Sequence, residues 1–394
     1  MIAYTKKYLE NNSVIRKAAR WRKKNLISEE QFGLIQSKYS TDLFSPNIFI
    51  KILLFIFSWI GMGAVLALYT TFFSTSMMFS GESYWVSTCF VFSVICFATL
   101  ELMIKQLRLY RAGVDEALLY MGISFLLFSF SAMIDVPADS LNKFLFFLVL
   151  SFPFLAAAVV RYADTLLSIA LTLCAYSILF TLILELGDIA KLIMPFVLML
   201  ASAPLYFFVK KQKQLEKFFY WKHCFIAAEY LALLVFYAAC NYYVIRESSI
   251  AYFDMQLGEG EDIPLAFLFY FLTAIVPLLY IFYGLKKKDK IILWVGLLLV
   301  VAAALTFKNY FSLGHPEILL TAAGIILVLV AYFGIKYLKV PRHGITFDAD
   351  DESFLNSNAE ALIIAQSFSQ QPIKPHDSGF GGGDFGGGGA GEKF

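Results

Sequence analysis

Runs of about 17–25 predominantly apolar residues recur along the chain, and nothing else in it limits the fold so tightly. Runs of that length cross the roughly 30 Å hydrocarbon core of a bilayer. A water-facing helix or strand would be interrupted by polar residues every few positions. Hydrophobic residues make up 59% of the chain and charged residues 16%, where soluble domains carry roughly 45–50% and about 25%. A soluble enzyme, a disordered chain and a secreted disulfide scaffold are therefore excluded. A β-barrel is excluded as well, because its strands alternate apolar and polar over about ten residues.

Ten runs qualify: 48–73, 84–104, 117–134, 144–160, 165–184, 192–209, 224–245, 264–284, 291–307 and 318–335. Each must be a helix, since lipid offers no partners to an open backbone. The expected fold class is all-α, a polytopic transmembrane helical bundle of about ten spans occupying residues 48–335. Residues 1–47 precede it as a basic segment and 336–394 follow it as a tail. If the spans alternate from a cytoplasmic N-terminus, 28 of the 32 lysines and arginines lie on the cytoplasmic side. Only Lys143, Lys191, Arg246 and Lys308 remain outside. The positive-inside rule then predicts that both termini are cytoplasmic. The first run starts behind a charged segment and lacks the form of a signal peptide. The longest outer loop, 246–263, has 18 residues, which leaves no room for a folded ectodomain.

The five cysteines all fall inside predicted spans and form no Cys-x-x-Cys pair, so they read as small hydrophobes and no disulfide is expected. The four histidines are scattered, and no zinc-site spacing is present.

Residues 1–47 read as a basic amphipathic helical hairpin. Tyr4, Tyr8, Ile15 and Ala18 form an apolar stripe flanked by Lys6, Lys7, Arg16, Lys17, Arg20 and the run 22–24. Ser28 with Gln31 is a capping box for a second short helix carrying Phe32, Ile35 and Tyr39. The hairpin is either a docking module for a partner protein or a basic pair lying on anionic headgroups. Trp21, the stretch Asn25-Leu26-Ile27-Ser28-Glu29-Glu30-Gln31, then Ile35 and Tyr39, precede a first span containing Gly61 and Gly63. This segment resembles the opening of a bacterial family of predicted multi-span membrane proteins of unknown function. That family begins with a Trp…Gly-Leu-Ile-Ser-x-x-Gln…Ile…Tyr pattern. Asn25 stands where the family usually has Gly, and both residues suit the left-handed end of a helix. The resemblance covers about the first 75 residues. It implies a bacterial inner-membrane location and supplies no active residues.

The tail combines an acidic patch (Asp348, Asp350, Asp351, Glu352), a short helix predicted over 357–369 and a Gly/Phe-rich end. The end cannot bury enough apolar area to fold. Its Phe380, Phe385 and Phe394 are either contacts for a partner or part of a plain flexible extension.

An ionisable group at a helix centre costs roughly 2.5–3.5 kcal/mol on insertion scales, so such groups point to function. Glu229 is the leading candidate. It lies seven residues past Lys222, about 10 Å along a helix rising 1.5 Å per residue, too deep for a short stem to snorkel. It must be protonated, paired or in a wet cavity. Lys222 and Cys240 share its stripe on the helix, which turns that stripe toward protein. Glu229 is either a coupling carboxylate for a proton or cation, or a packing carboxylate that bonds two helices. Glu101, Asp164, Glu185 and Asp188 sit at span ends and read as structural, and Asn241 reads as helix–helix glue. Pro153 and Pro277 free the carbonyls of Val149 and Thr273, and Pro277 is a candidate hinge. Gly63 and Ala67 form a small-xxx-small pair.

Enzyme signatures are missing. Gly122-Ile123-Ser124 puts a serine in a span where no histidine can serve as its base, and no metalloprotease or nucleotide-binding motif occurs. No catalytic residue, cofactor or metal ligand is expected, and no nucleic acid partner. The expected role is a non-enzymatic membrane component that engages lipid or a cytoplasmic protein through residues 1–47 and 370–394. The alternative is a secondary transporter or channel for a small or apolar substrate, using Glu229 and hinging at Pro277.

Overall fold

The computed structural model describes residues 2–74, 82–133, 141–253 and 262–310, with Val328, Tyr332 and Lys336. The chain divides into the units Met1–Leu327 and Val328–Phe394, and the fold below is that of the first. The tenth apolar run lies outside the described residues apart from Val328 and Tyr332, as do the acidic patch, the predicted tail helix and the Gly/Phe end.

The described helices are α1 (Lys6–Lys23), α2 (Glu29–Lys38), α3 (Ile48–Ser74), α4 (Glu82–Gln106), α5 (Val114–Met133), α6 (Leu141–Tyr162), α7 (Thr165–Leu184), α8 (Asp188–Lys213), α9 (Lys222–Ala238), α10 (Tyr242–Phe253), α11 (Ala266–Lys287) and α12 (Lys290–Tyr310). Nine of these segments are long and apolar enough to cross a bilayer: α3 to α8, α9 with the 3-10 turn before it, α11 and α12. They follow the first nine apolar runs in order, the seventh being displaced toward the N-terminus. Among the described residues the only strand-like pairing is one bridge between Phe44 and Leu109. The chain is an all-helical, polytopic membrane protein.

Sequence neighbours pack as pairs, α4 on α5, α6 on α7, α8 on α9 and α11 on α12, as short connections between antiparallel spans require. The two largest apolar cores among the described residues follow from this pairing. One joins α4, α5, α6 and α7 through residues such as Leu100, Leu118, Leu155 and Leu167. The other joins α8, α9, α11 and α12 through Tyr206, Leu233, Val276, Val295 and Leu299. Close approach of α11 to α12 depends on small residues. A Cβ on Gly284 would stand 2.9 Å from the backbone nitrogen of Leu293. Helix α3 packs mainly against α5 and touches α4 where the Tyr69 ring meets Phe92, and none of its apolar window is buried. Gly63 has open space around it, so the Gly63/Ala67 pair makes no close helix contact among the described residues.

Helices α1 and α2 pack against each other. The Ser28 hydroxyl accepts the Gln31 N–H at 3.2 Å while the Gln31 side chain accepts the Ser28 N–H at 2.9 Å, closing the capping box. Asn25 takes φ +55°, the left-handed conformation its place after α1 demands. Segment 2–9 is seated on the bundle: Ile2 and Leu9 join the first core, and the Ala3 N–H donates to the Arg161 carbonyl at 2.7 Å. Tyr220 ties α1 down from the turn before α9 through a 2.5 Å bond to Glu10.

The seventh run departs from expectation. Run length predicts one span over 224–245, but the helix stops at Ala238 and restarts as α10 at Tyr242. Asn241 supplies the cause. Its side chain accepts the Val244 N–H at 3.3 Å and its carbonyl accepts the Ile245 N–H at 3.1 Å, so it caps a new helix instead of continuing the old one.

Candidate functional site

Glu229 sits on α9 where that helix crosses α8, and its side chain is 0% exposed. The seven residues from Lys222 carry it into the bundle. The last turn of α8 brings Lys213 back over it, and the Lys213 ammonium donates to Glu229 Oε2. Of the three states open to a buried carboxylate, paired is the one observed. Glu229 Oε1 and Gln212 Oε1 are both buried without a hydrogen-bond partner among the described residues. Of the two residues expected on the same stripe, Cys240 is fully buried, but Lys222 is exposed at the start of α9.

A second ion pair stands beside the first. Lys210, one turn before Lys213, donates to Asp289 Oδ2 and to Tyr206 Oη, both at 2.6 Å. Asp289 lies in the turn between α11 and α12 and also accepts the Ile291 N–H at 3.1 Å. Burial works against its charge, but Lys210 and the N–H groups of Ile291 and Ile292 outweigh it and hold its pKa below the usual carboxylate range. Two lysines on one helix end thus clamp α8 to α9 and to the α11–α12 turn.

At the far end of α9 the break is lined with polar groups from three helices. The Asn241 amide donates to Tyr237 Oη and Thr306 Oγ1, each at 3.0 Å, so it joins α9 to α12 as helix–helix glue would. Thr273 on α11 accepts the Tyr242 N–H at 2.9 Å. Pro277 is fully buried in α11, and the Thr273 carbonyl it frees lies 3.5 Å from Tyr237 Oη. The proline and the break in α9 are thus joined through Thr273. Helix α8 carries two further prolines, Pro195 and Pro204, that the sequence reading passed over.

Glu101, Asp164 and Asp115 have side-chain partners. Glu101 receives Arg161 through two bonds of 2.9 and 2.8 Å, and Tyr162 Oη at 3.0 Å. Asp164 caps α7 at Leu167 and accepts Tyr120 Oη at 3.1 Å. Glu185 ends α7. Asp115, which the run lengths left in a loop, is 2% exposed and accepts the N–H groups of Arg111 and Ala112 at 2.8 and 2.9 Å. Burial and the Asp115 charge push the Tyr4 hydroxyl well above its usual pKa. Ser124 belongs to a segment where Gly122 lets α4 approach α5, its carbonyl accepting the Ser93 hydroxyl at 2.8 Å.

All five cysteines are free and buried. Among the described residues no group of three or more His, Cys, Asp or Glu side chains is placed to hold a metal ion. No family model, curated protein or solved structure matches the chain.

Proposed function

We propose that the chain is a non-enzymatic component of a bacterial inner membrane, with both termini cytoplasmic, that engages anionic lipid or a protein partner through its N-terminal hairpin. The state of α2 carries this reading. Helix α1 is used up in holding the hairpin to the bundle, whereas α2 buries no residue, and Leu26 and Leu34 are 67% and 70% exposed. Arg22 lies over the Phe32 ring and pairs with Glu29 at 2.7 Å, so this apolar face carries a charged edge, the combination that suits a headgroup surface or a protein partner. The Trp21…Tyr39 motif, which resembles the multi-span family, falls across the same presented surface. Residues 370–394 are proposed as a second contact on composition alone.

The test is native mass spectrometry of the full chain released gently from its own membrane, against a Leu26→Asp/Leu34→Asp variant. A protein or anionic lipid held by the native chain and lost from the variant is the expected result. Identical spectra from both would remove the hairpin from the function.

A second reading, a secondary transporter or channel, rests on a different observation. Glu229 is sealed in the bundle with one oxygen unpartnered, on a helix whose break is tied to the Pro277 region of α11. In this reading Glu229 takes and releases a proton or cation, and α11 bends at Pro277. Glu229→Gln then abolishes flux in reconstituted vesicles while the hairpin variant does not.

A further inference from the structure

A cavity of about 140 Å³ lies beneath α1, on the face of the bundle that carries the α4–α5 and α6–α7 turns. One side of α1 roofs it with Leu9, Asn12, Ser13 and Arg16, at the spacing of a single helix face. Arg111 from the α4–α5 turn and Lys222 and His223 from the start of α9 complete a basic rim. The charges of Arg16, Arg111 and Lys222 all reach His223. Among the described residues none of these three cations is ion-paired.

Three acids also border the cavity, and each is already committed. Asp115 caps the α4–α5 turn and receives Tyr4. Glu116 pairs with Lys51 at 2.6 Å, and Asp164 caps α7. Their oxygens are taken up by backbone N–H groups, by tyrosine hydroxyls and, for Glu116, by a lysine outside the cavity. Helix α9 meets the cavity as the continuation of the 3-10 turn Glu216–Trp221, the Lys222 N–H donating to the Phe219 carbonyl. Arg16, Arg111 and Lys222 have no ion-pair partner among the described residues, so an anion set between them gains charge-assisted contacts that no side chain supplies.

We propose that this cavity binds a phosphomonoester group, held by Arg16, Arg111 and Lys222 with Ser13 and Asn12 as neutral donors. The donor set fits that chemistry: guanidinium forks match tetrahedral oxyanions, and an ammonium adds a point charge. The volume is close to the roughly 150 Å³ known to accept a benzene-sized molecule, enough for one phosphate-bearing headgroup. Because Arg16 belongs to α1, the ligand also ties α1 to the bundle.

The same group occurs on a soluble metabolite and on a lipid, and the experiment separates them. The full chain in neutral detergent is titrated calorimetrically with glycerol 3-phosphate. In parallel, the chain released from vesicles containing phosphatidic acid is weighed by native mass spectrometry. Binding in either arm is expected, weakened at least about tenfold by Arg16→Gln and again by Lys222→Gln, since each removes one charge-assisted contact. Slower hydrogen exchange along α1 on binding is expected in the arm that binds. Both side chains are exposed at the rim, so the substitutions leave the fold intact. No binding in either arm overturns the proposal. So does binding that the double variant retains at full strength, which would mark an adventitious ion only.

Discussion

A carboxylate with no exposed surface stays charged inside a bilayer only if its counter-charge is brought in with it. For Glu229 that charge comes from Lys213, and the two partners are not equivalent. The Lys213 side chain is 17% exposed and its stem is long, so without Glu229 it can swing to the headgroups. Glu229 has no such exit. Breaking a buried pair costs roughly 3–5 kcal/mol when an uncompensated charge is left behind. Lys213→Met is therefore expected to fall in that range, and Glu229→Gln nearer about 1 kcal/mol. Denaturant titration in mixed micelles of both single variants and the double variant measures the difference. Equal losses would show that the lysine is as confined as the acid. The sequence identified Glu229 by depth alone but not its partner. Lys213 lies 16 residues earlier in the chain, in a stretch that reads as a water-exposed basic loop. Only the return of α8 over α9 brings the two together, and no helical wheel of a single span contains that relation.

At the scale of elements, apolar run length predicted nine described helices because lipid leaves the backbone no alternative. It failed at residues 239–241 because length says nothing about caps. Asn241 lies within the seventh run and looks like a tolerated polar residue. In the folded chain it ends one helix, starts another and bonds to α12. Asn241→Ala should cost roughly 1–3 kcal/mol, from a lost cap together with Tyr237 and Thr306 losing a buried partner. Hydrogen exchange at residues 242–246 reads out the loosened α10 directly. Unchanged exchange there would mean that the break is imposed by Thr273 from α11 instead. The capping box at Ser28 was legible because it is local, three residues end to end. The Thr306 partner of Asn241 is 65 residues away on α12 and left no comparable trace.

Across the whole molecule, α1 does what no composition argument assigns to it. Segment 2–9 joins the first core and lies against the α4–α5, α6–α7 and α8–α9 connections. Fully burying side chains such as Ile2 and Leu9 stabilises by about 1.5–3 kcal/mol each as an upper estimate. Removing residues 2–9 should lower the unfolding temperature and open the region around Cys224. That thiol is buried and bonds to the Asp164 carbonyl at 3.4 Å, so a polar maleimide is expected to label it in the truncated chain and not in the full one. Failure to label would mean that the first core closes without α1.

The seat of α1 also dictates an order of events during synthesis. Glu10 and the Tyr220 that anchors it are 210 residues apart. At about 5–20 residues per second the ribosome needs on the order of ten to forty seconds to make that stretch. Through all of that time the first helix has left the ribosome and has nowhere complete to rest. The contact to Tyr220 can form only after the α8–α9 connection has been made, so α1 docking closes the assembly of this half of the protein.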